Sequence, residues 1–363
     1  LADKERETRD LLVGFWQGTL KSIPGLKLED SVVKKALRQW KLREDNQQIL
    51  LRDILPRFEL TASQIESILD VDRSSHGIYS TLEAIADNPY ILAEEYTGDS
   101  PDDHITFNRI DHGVFPSPDL GGDALAETDD GRRLRGLCIE RFRRENKHTF
   151  LAADSLFHDI NRKLSFQPQW KRHQFTERYL TVEEELLSAA LVTRQLEKRQ
   201  YVYWKRIHDD ERDIERSVRQ LAKRPDIKLR SAVTAVTWRT FLTDSDSVLN
   251  RKAPKEYQAA IDGQIDVCQK AFLRPISVIC GAAGTGKTRV IDAIIKAIEK
   301  GHGTGTSFQL LAPTGKAADR IRELTGKTAA TVHSFLANLG WLNDNRTLKL
   351  SGGKQEDRFQ TYI

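Results

Sequence analysis

The stretch ISVICGAAGTGKT, Ile276 to Thr288, decides how this chain is read. Its apolar run from Ile276 to Cys280 predicts a strand buried on both faces of a parallel sheet, feeding directly into a glycine-rich turn. That turn, Gly281, Ala282, Ala283, Gly284, Thr285, Gly286, Lys287 and Thr288, satisfies G-x-x-x-x-G-K-[ST]. Its glycines let the backbone curl until successive N–H groups point inward, a positive concavity that a polyphosphate fills. In this pattern Lys287 places its ammonium near the β and γ phosphates. Thr288 offers its hydroxyl to Mg²⁺, and the helix that starts here directs the positive end of its dipole at the ligand. Ile291, Ile294, Ile295 and Ile298 then recur as one apolar helix face, so strand, loop and helix follow in the expected order.

Length and composition bound the rest. The 363 residues suffice for two or three domains, and 39% apolar with 30% charged residues describes a globular chain without a membrane-spanning run. The charged opening LADKERETRD shows no signal peptide, so the expectation is a cytoplasmic protein. A formal net charge of +3 leaves any nucleic-acid site to a local patch. Cys138, Cys268 and Cys280 are too scattered for a disulfide framework or a zinc cluster.

Taken in order, residues 1–59 read as a helical region, with Leu11, Leu12, Phe15, Val33, Ala36, Leu37 and Trp40 at helical spacing. Residues 60–122 hold LTASQIESIL and STLEAIADNPYILAEEY, with Thr61 and Ser80 as expected N-caps, Asn88-Pro89 as a helix stop, and GVFPSPDLGG as a boundary. Residues 123–242 restart with GRRLRGLCIERFRRENKH, whose arginine face is either a phosphate-contacting surface or a solvated helix side facing acidic neighbours; the solvated side is favoured, as charge runs usually face solvent. LTVEEELLSAALVTRQLEK reads as helix. Tyr201, Tyr203 and Trp204 in RQYVYWKR either stack on bases or form a core strand, the core strand being favoured. Ile207, Ile214, Val218 and Leu221 line one face of a charged helix, and residues 243–255 read as the linker into a nucleotide-binding domain, 243–363.

Past the phosphate loop, FQLLAPTGKAADRIRELTG reads as a second buried strand, Phe308 to Ala312, then a turn and a helix, and TAATVHSFL follows. This order of motifs resembles the first motor domain of RecD-like DNA helicases in superfamily 1B. The resemblance implies an α/β, RecA-like parallel sheet, incomplete here, preceded by mainly α-helical domains: a helix-hairpin-helix region in 60–122 and a winged-helix-like segment with a connecting helix in 123–242. It implies ATP and Mg²⁺ as ligands, with Gln264 (or Gln258) at the adenine and the loop through Arg289 at the phosphates. It implies a single strand of DNA held by Pro313, Thr314, Gly315, Lys316, Thr331 and His333, His333 having a buried core position as its alternative. The activity implied is ATP-driven 5′-to-3′ movement along single-stranded DNA.

Two departures stand out. Where the family's hairpin carries a Gly-x-Gly turn, this chain has the acidic GDSPDDHITFNRID. The sequence also reaches only RFQTYI, where the family continues into an Asp-Glu pair and a second motor domain with an arginine finger. Since such a finger is worth about 10³ to 10⁵ in rate, residues 1–363 alone are expected to bind nucleotide and hydrolyse it negligibly. A nucleotide-gated DNA-binding or scaffold module, with a protein partner on the amino-terminal half, is the alternative. A small-molecule P-loop kinase has no use for the Pro-Thr-Gly-Lys and Thr-x-His motifs.

Overall fold

The computed structural model describes residues 2–25, 29–98, 102–120, 122–282, 284–303, 308–342, 353–354 and 361–363. The chain divides into two compact units, Leu1–Glu211 and Arg212–Ile363.

The first unit opens with helices Ala2–Trp16 and Asp30–Lys41, tied by Trp16 stacked on Trp40 at 4.9 Å between ring centroids. Helix Ala62–Leu69 starts in a capping box: the Gln64 N–H donates to the Thr61 hydroxyl, and the Thr61 N–H donates to the Gln64 side chain. The next helix, Leu82–Asp87, is capped by Thr81 and not by Ser80. Ser80 is engaged elsewhere, donating its hydroxyl to Glu95 Oε1 at 2.7 Å. The helix stops before Asn88-Pro89, because a proline ring disfavours helical geometry in the residue preceding it.

The centre of this unit is formed by α1 (Tyr90–Glu95), α2 (Phe107–Val114), α3 (Gly131–Arg143), β1 (Phe150–Ala152) and α4 (Ala153–Ser165), followed by the hairpin β2 (Leu191–Leu196) and β3 (Arg199–Trp204). The antiparallel sheet has the order β1-β3-β2. The helix expected through residue 198 therefore ends at Ser188. Six ladder pairs, from Leu191↔Trp204 to Leu196↔Arg199, closed by a turn at Glu197 with φ 55°, outweigh the helical spacing of that segment. Val202 points into the core beside Leu134, Leu137, Cys138, Leu156 and Ile160, so the aromatic run is a strand, as favoured.

The arginines of α3 meet carboxylates. Arg133, with no exposed surface, donates to Asp111 at 2.9 and 3.3 Å, and Lys171 Nζ and the Tyr90 hydroxyl donate to the same carboxylate at 2.9 and 2.8 Å. Arg135 pairs with Glu94, and Arg141 with Asp159. Burial alone pushes the Asp111 carboxyl up, but Arg133 and Lys171 outweigh it and hold the group below its ordinary range.

The second unit runs from within α5 (Lys205–Ala222) through α6 (Ala235–Leu242), α7 (Pro254–Phe272), α8 (Lys287–His302), β4 (Phe308–Ala312), α9 (Gly315–Thr325), β5 (Ala329–Thr331), α10 (Val332–Asn338) and β6 (Thr361–Tyr362). Trp238 and Leu242 of α6 pack with Tyr257, Ile261, Ile265 and Cys268 of α7 and Val290, Ala293 and Ala297 of α8. The stretch 243–255, expected as linker, contains the short helix Val248–Lys252 and the start of α7. The parallel sheet has the order β5-β4-β6, with Ala312 opposite Thr331 and Phe308 opposite Thr361. The protein is mostly helical, and this small parallel sheet is consistent with part of a P-loop domain.

The strand expected at Ile276–Cys280 is absent from the structure: the segment is irregular, and Val278 is 83% exposed. An apolar run becomes a strand only by exchanging backbone hydrogen bonds with a neighbour, and none of the described strands pairs with it. Among the described residues no helix is long and apolar enough to cross a membrane.

Candidate nucleotide and nucleic-acid site

The phosphate loop takes its shape from glycines at positions where a side chain does not fit. Gly284 and Gly286 have φ of 80° and 82°, left-handed geometry that costs other residues energy, and a Cβ on Gly281 would lie 2.7 Å from Thr285 Oγ1. Thr285 donates its hydroxyl to the Ala282 carbonyl at 2.8 Å, closing the turn, and Gly286 becomes the N-cap of α8. Lys287, the first residue of α8, reaches back across the loop and donates to the carbonyls of Gly281 and Ala282, each at 2.6 Å. Its ammonium thus lies against the loop itself. Thr288 follows on the first turn; Ala283 lies outside the described residues.

Gln264 comes to this loop from α7. Its Nε2 donates to the Thr285 carbonyl at 3.0 Å, while its Oε1 is buried with no hydrogen-bond partner among the described residues. Gln258, the other candidate, accepts from Arg239 Nη1 at 3.0 Å on the same helix. Arg289 turns away from the loop and donates to the Thr243 carbonyl at 3.0 Å, with Asp244 4.0 Å away. That clamp had no signature in the sequence.

The second group of residues stands where two parallel strands end together. Since Ala312 of β4 pairs with Thr331 of β5, the turn Pro313-Thr314-Gly315-Lys316 and the segment Thr331–His333 leave the same edge of the sheet. Each threonine starts a helix: Thr314 accepts from the Ala317 N–H at 3.3 Å, and Thr331 from the Ser334 N–H at 3.0 Å. Pro313, Thr314, Gly315, Lys316 and His333 are exposed, which rules out the core position for His333. Carboxyl ends of parallel strands are where open α/β sheets take their ligands. By contrast, a cleft of about 790 Å³ in the first unit is lined by Asp87, Glu127, Asp129, Asp130 and Glu183 against Arg132 and Arg178, and its carboxylates disfavour a phosphate.

Residues 264–360, from Gln264 through the loop and both strand-end turns, match the family model described as AAA domain. Three relatives align with parts of the chain. The ATP-dependent RecD2 DNA helicase of Deinococcus radiodurans is 41% identical over 86 residues, 24% of this chain and 11% of its own length. The RecBCD enzyme subunit RecD of Haemophilus influenzae is 35% identical over 68 residues, 19% of this chain and 11% of its own. The second unit carries an AAA domain related to RecD helicases. A longer alignment, 23% identical over 323 residues, covers 85% of this chain and 27% of the uncharacterized protein MJ1519 of Methanocaldococcus jannaschii. The chain thus spans about a quarter or less of each of these relatives.

Within the AAA domain, Gly281, Gly284 and Gly286 with Lys287 form one cluster together with Gln264, and Thr314, Lys316, Thr331 and His333 share one sheet edge. The fit to a polyphosphate rests on observations in the loop: glycine positions a Cβ would fill, a lysine already over the curl, and a glutamine with an unused acceptor. Among the described residues no group of three or more His, Cys, Asp or Glu side chains is placed to hold a metal ion.

Proposed function

We propose that this chain belongs to an ATP-driven DNA helicase or translocase of the RecD-like kind, moving 5′ to 3′ on single-stranded DNA. The observation that carries the proposal is the shared edge at Ala312↔Thr331, which sets two exposed turns side by side in a domain that also holds a phosphate loop. The loop from Gly281 to Thr288 would hold ATP, with Lys287 at the phosphates, Thr288 at Mg²⁺ and Gln264 at the adenine. Bound ATP·Mg²⁺ supplies the phosphoryl group whose transfer drives the motor. The chain's own part is to cradle and orient: Gln264 fixes the loop through Thr285, and Thr314 and Thr331 fix the two turns that present Lys316 and His333 to a strand.

In the first unit, the order α3, β1, α4, two short helices and the β2–β3 hairpin supports the winged-helix-like reading of 123–242, and the capped short helices support the helix-hairpin-helix reading of 60–122. A scaffold role for this half is favoured by Asp103, which in the acidic hairpin accepts from Gln64 Nε2 and the Tyr96 hydroxyl, each at 2.8 Å. That carboxylate is built in as a brace and opposes a phosphate grip there.

The test is calorimetric. Titration of the chain with ATP and Mg²⁺ gives saturable binding that Lys287→Ala abolishes. Parent-like affinity in Lys287→Ala refutes the assignment.

A further inference from the structure

We propose that the outer face of the three-stranded sheet in the first unit is a stacking surface for single-stranded nucleic acid. Alternate residues of β3 point to opposite faces. Val202 and Trp204, flanked by Leu151 and Leu191, go to the core; Tyr201 and Tyr203 go to the other side. There the ladder sets Phe150 and Val192 beside Tyr203, and Ala152 and Arg194 beside Tyr201. Phe150 is 41% exposed and lies 5.5 Å from Tyr201 and 5.1 Å from Tyr203 between ring centroids, one continuous aromatic patch. Tyr201 and Tyr203 are half-buried, Tyr203 packing edge-on against His208 at 5.4 Å between ring centroids, while Val202 and Leu191 fill the inner face.

The charge around the patch selects the occupant. Arg194, cross-strand from Tyr201, has no ion-pair partner among the described residues, and Lys198 in the hairpin turn has none either. Arg199 at the next position outward shares its guanidinium with Asp154 at 2.9 Å, and Glu197 is the turn's own acid. Cations thus outnumber anions on the hairpin while the aromatics occupy the middle of the sheet. Tyr201 and Tyr203 are two residues apart on one strand, roughly 6.8 Å, which gives each a separate base to stack on. Aromatics central on an antiparallel sheet with a basic rim recognise unpaired bases, whose π-faces stack and whose phosphates meet the rim. The surface needs no nucleotide turnover and stands apart from the motor reading.

The experiment uses the whole chain carrying Lys316→Ala and His333→Ala, so that strand binding by the AAA domain is read separately, with fluorescent oligodeoxythymidine and oligouridine probes. Tyr201→Leu with Tyr203→Leu keeps apolar bulk and removes the rings; binding weakens at least about tenfold, as loss of a stacked base entails. Tyr201→Phe retains the parent affinity, and Arg194→Ala lowers the salt dependence by about one phosphate contact. The probe that binds more tightly identifies DNA or RNA as the ligand. Photo-cross-links from 5-iodouracil probes land on Phe150, Tyr201 or Tyr203. Unchanged affinity in the folded double-leucine variant, or cross-links confined to other segments, overturns the proposal.

Discussion

Substituting Gly286→Ala strains the loop in two separable ways. The residue has φ 82°, and left-handed geometry costs an alanine about 1–2 kcal/mol. The new Cβ would also lie 2.8 Å from Gln264 Nε2, displacing the amide from the Thr285 carbonyl and losing a hydrogen bond worth about 0.5–1.5 kcal/mol. The expected total is about 2–3 kcal/mol, roughly a thirtyfold or greater loss of protection at 1.4 kcal/mol per tenfold. Hydrogen-exchange mass spectrometry on the amides of α8 reads this locally, without mixing the two units. Gln264→Ala removes the clash but leaves the φ strain, so the double variant falls short of the sum of the single losses by about 1 kcal/mol. Protection within twofold of the parent in Gly286→Ala, or strict additivity in the double variant, refutes the claim that Gln264 and Gly286 hold each other in place.

Other outcomes follow from the same structure. Asp111→Asn strands Arg133 and Lys171 as buried cations and costs about 3–5 kcal/mol, read as a lower urea midpoint with unchanged slope. Because the Asp111 carboxyl is held below its ordinary range, its contribution is present above the unfolded value of about 3.9 and disappears as pH falls through the lower folded value. Acid titration of Asp111→Asn should lack that step. Cys280 is exposed beside Gly281, whereas Cys138 and Cys268 are buried and burial raises both thiols, Cys268 to about 11. Iodoacetamide therefore labels Cys280 first, and ATP with Mg²⁺ slows the labelling if the loop holds nucleotide; peptide mapping checks both. Lys316→Ala weakens single-strand binding and reduces its salt slope by about one, measured by titration at several salt concentrations.

The parts of this molecule legible in the sequence are those whose causes are local. The loop and its helix are readable because glycine, lysine and threonine act within a few residues of one another, and β4 because its carboxyl end is marked by chain chemistry at Pro313 and Gly315. The helical spacing of 191–198 misleads because the ladder to Arg199–Trp204 that makes Leu191–Leu196 a strand is a tertiary fact that such spacing does not record. The same limit applies at Ile276–Cys280, where apolar residues suggested a strand but pairing decides. Gln264 was placed by resemblance, yet its partner Thr285 is 21 residues away, and Arg289 meets Thr243 across 46. Arg133 looked like part of a surface stripe; only Asp111, 22 residues upstream, reveals it as an interior ion.

The pairing of Ala312 with Thr331 has a consequence for how the site can change. Main-chain hydrogen bonds hold the two strands about 4.8 Å apart and so set the distance between the two turns, with no side chain there needed to keep it. Lys316 or His333 can be exchanged for another residue while the gauge stays fixed. A one-residue slip of β5 does the opposite, turning its side chains to the other face and carrying His333 off together with the helix that Thr331 caps.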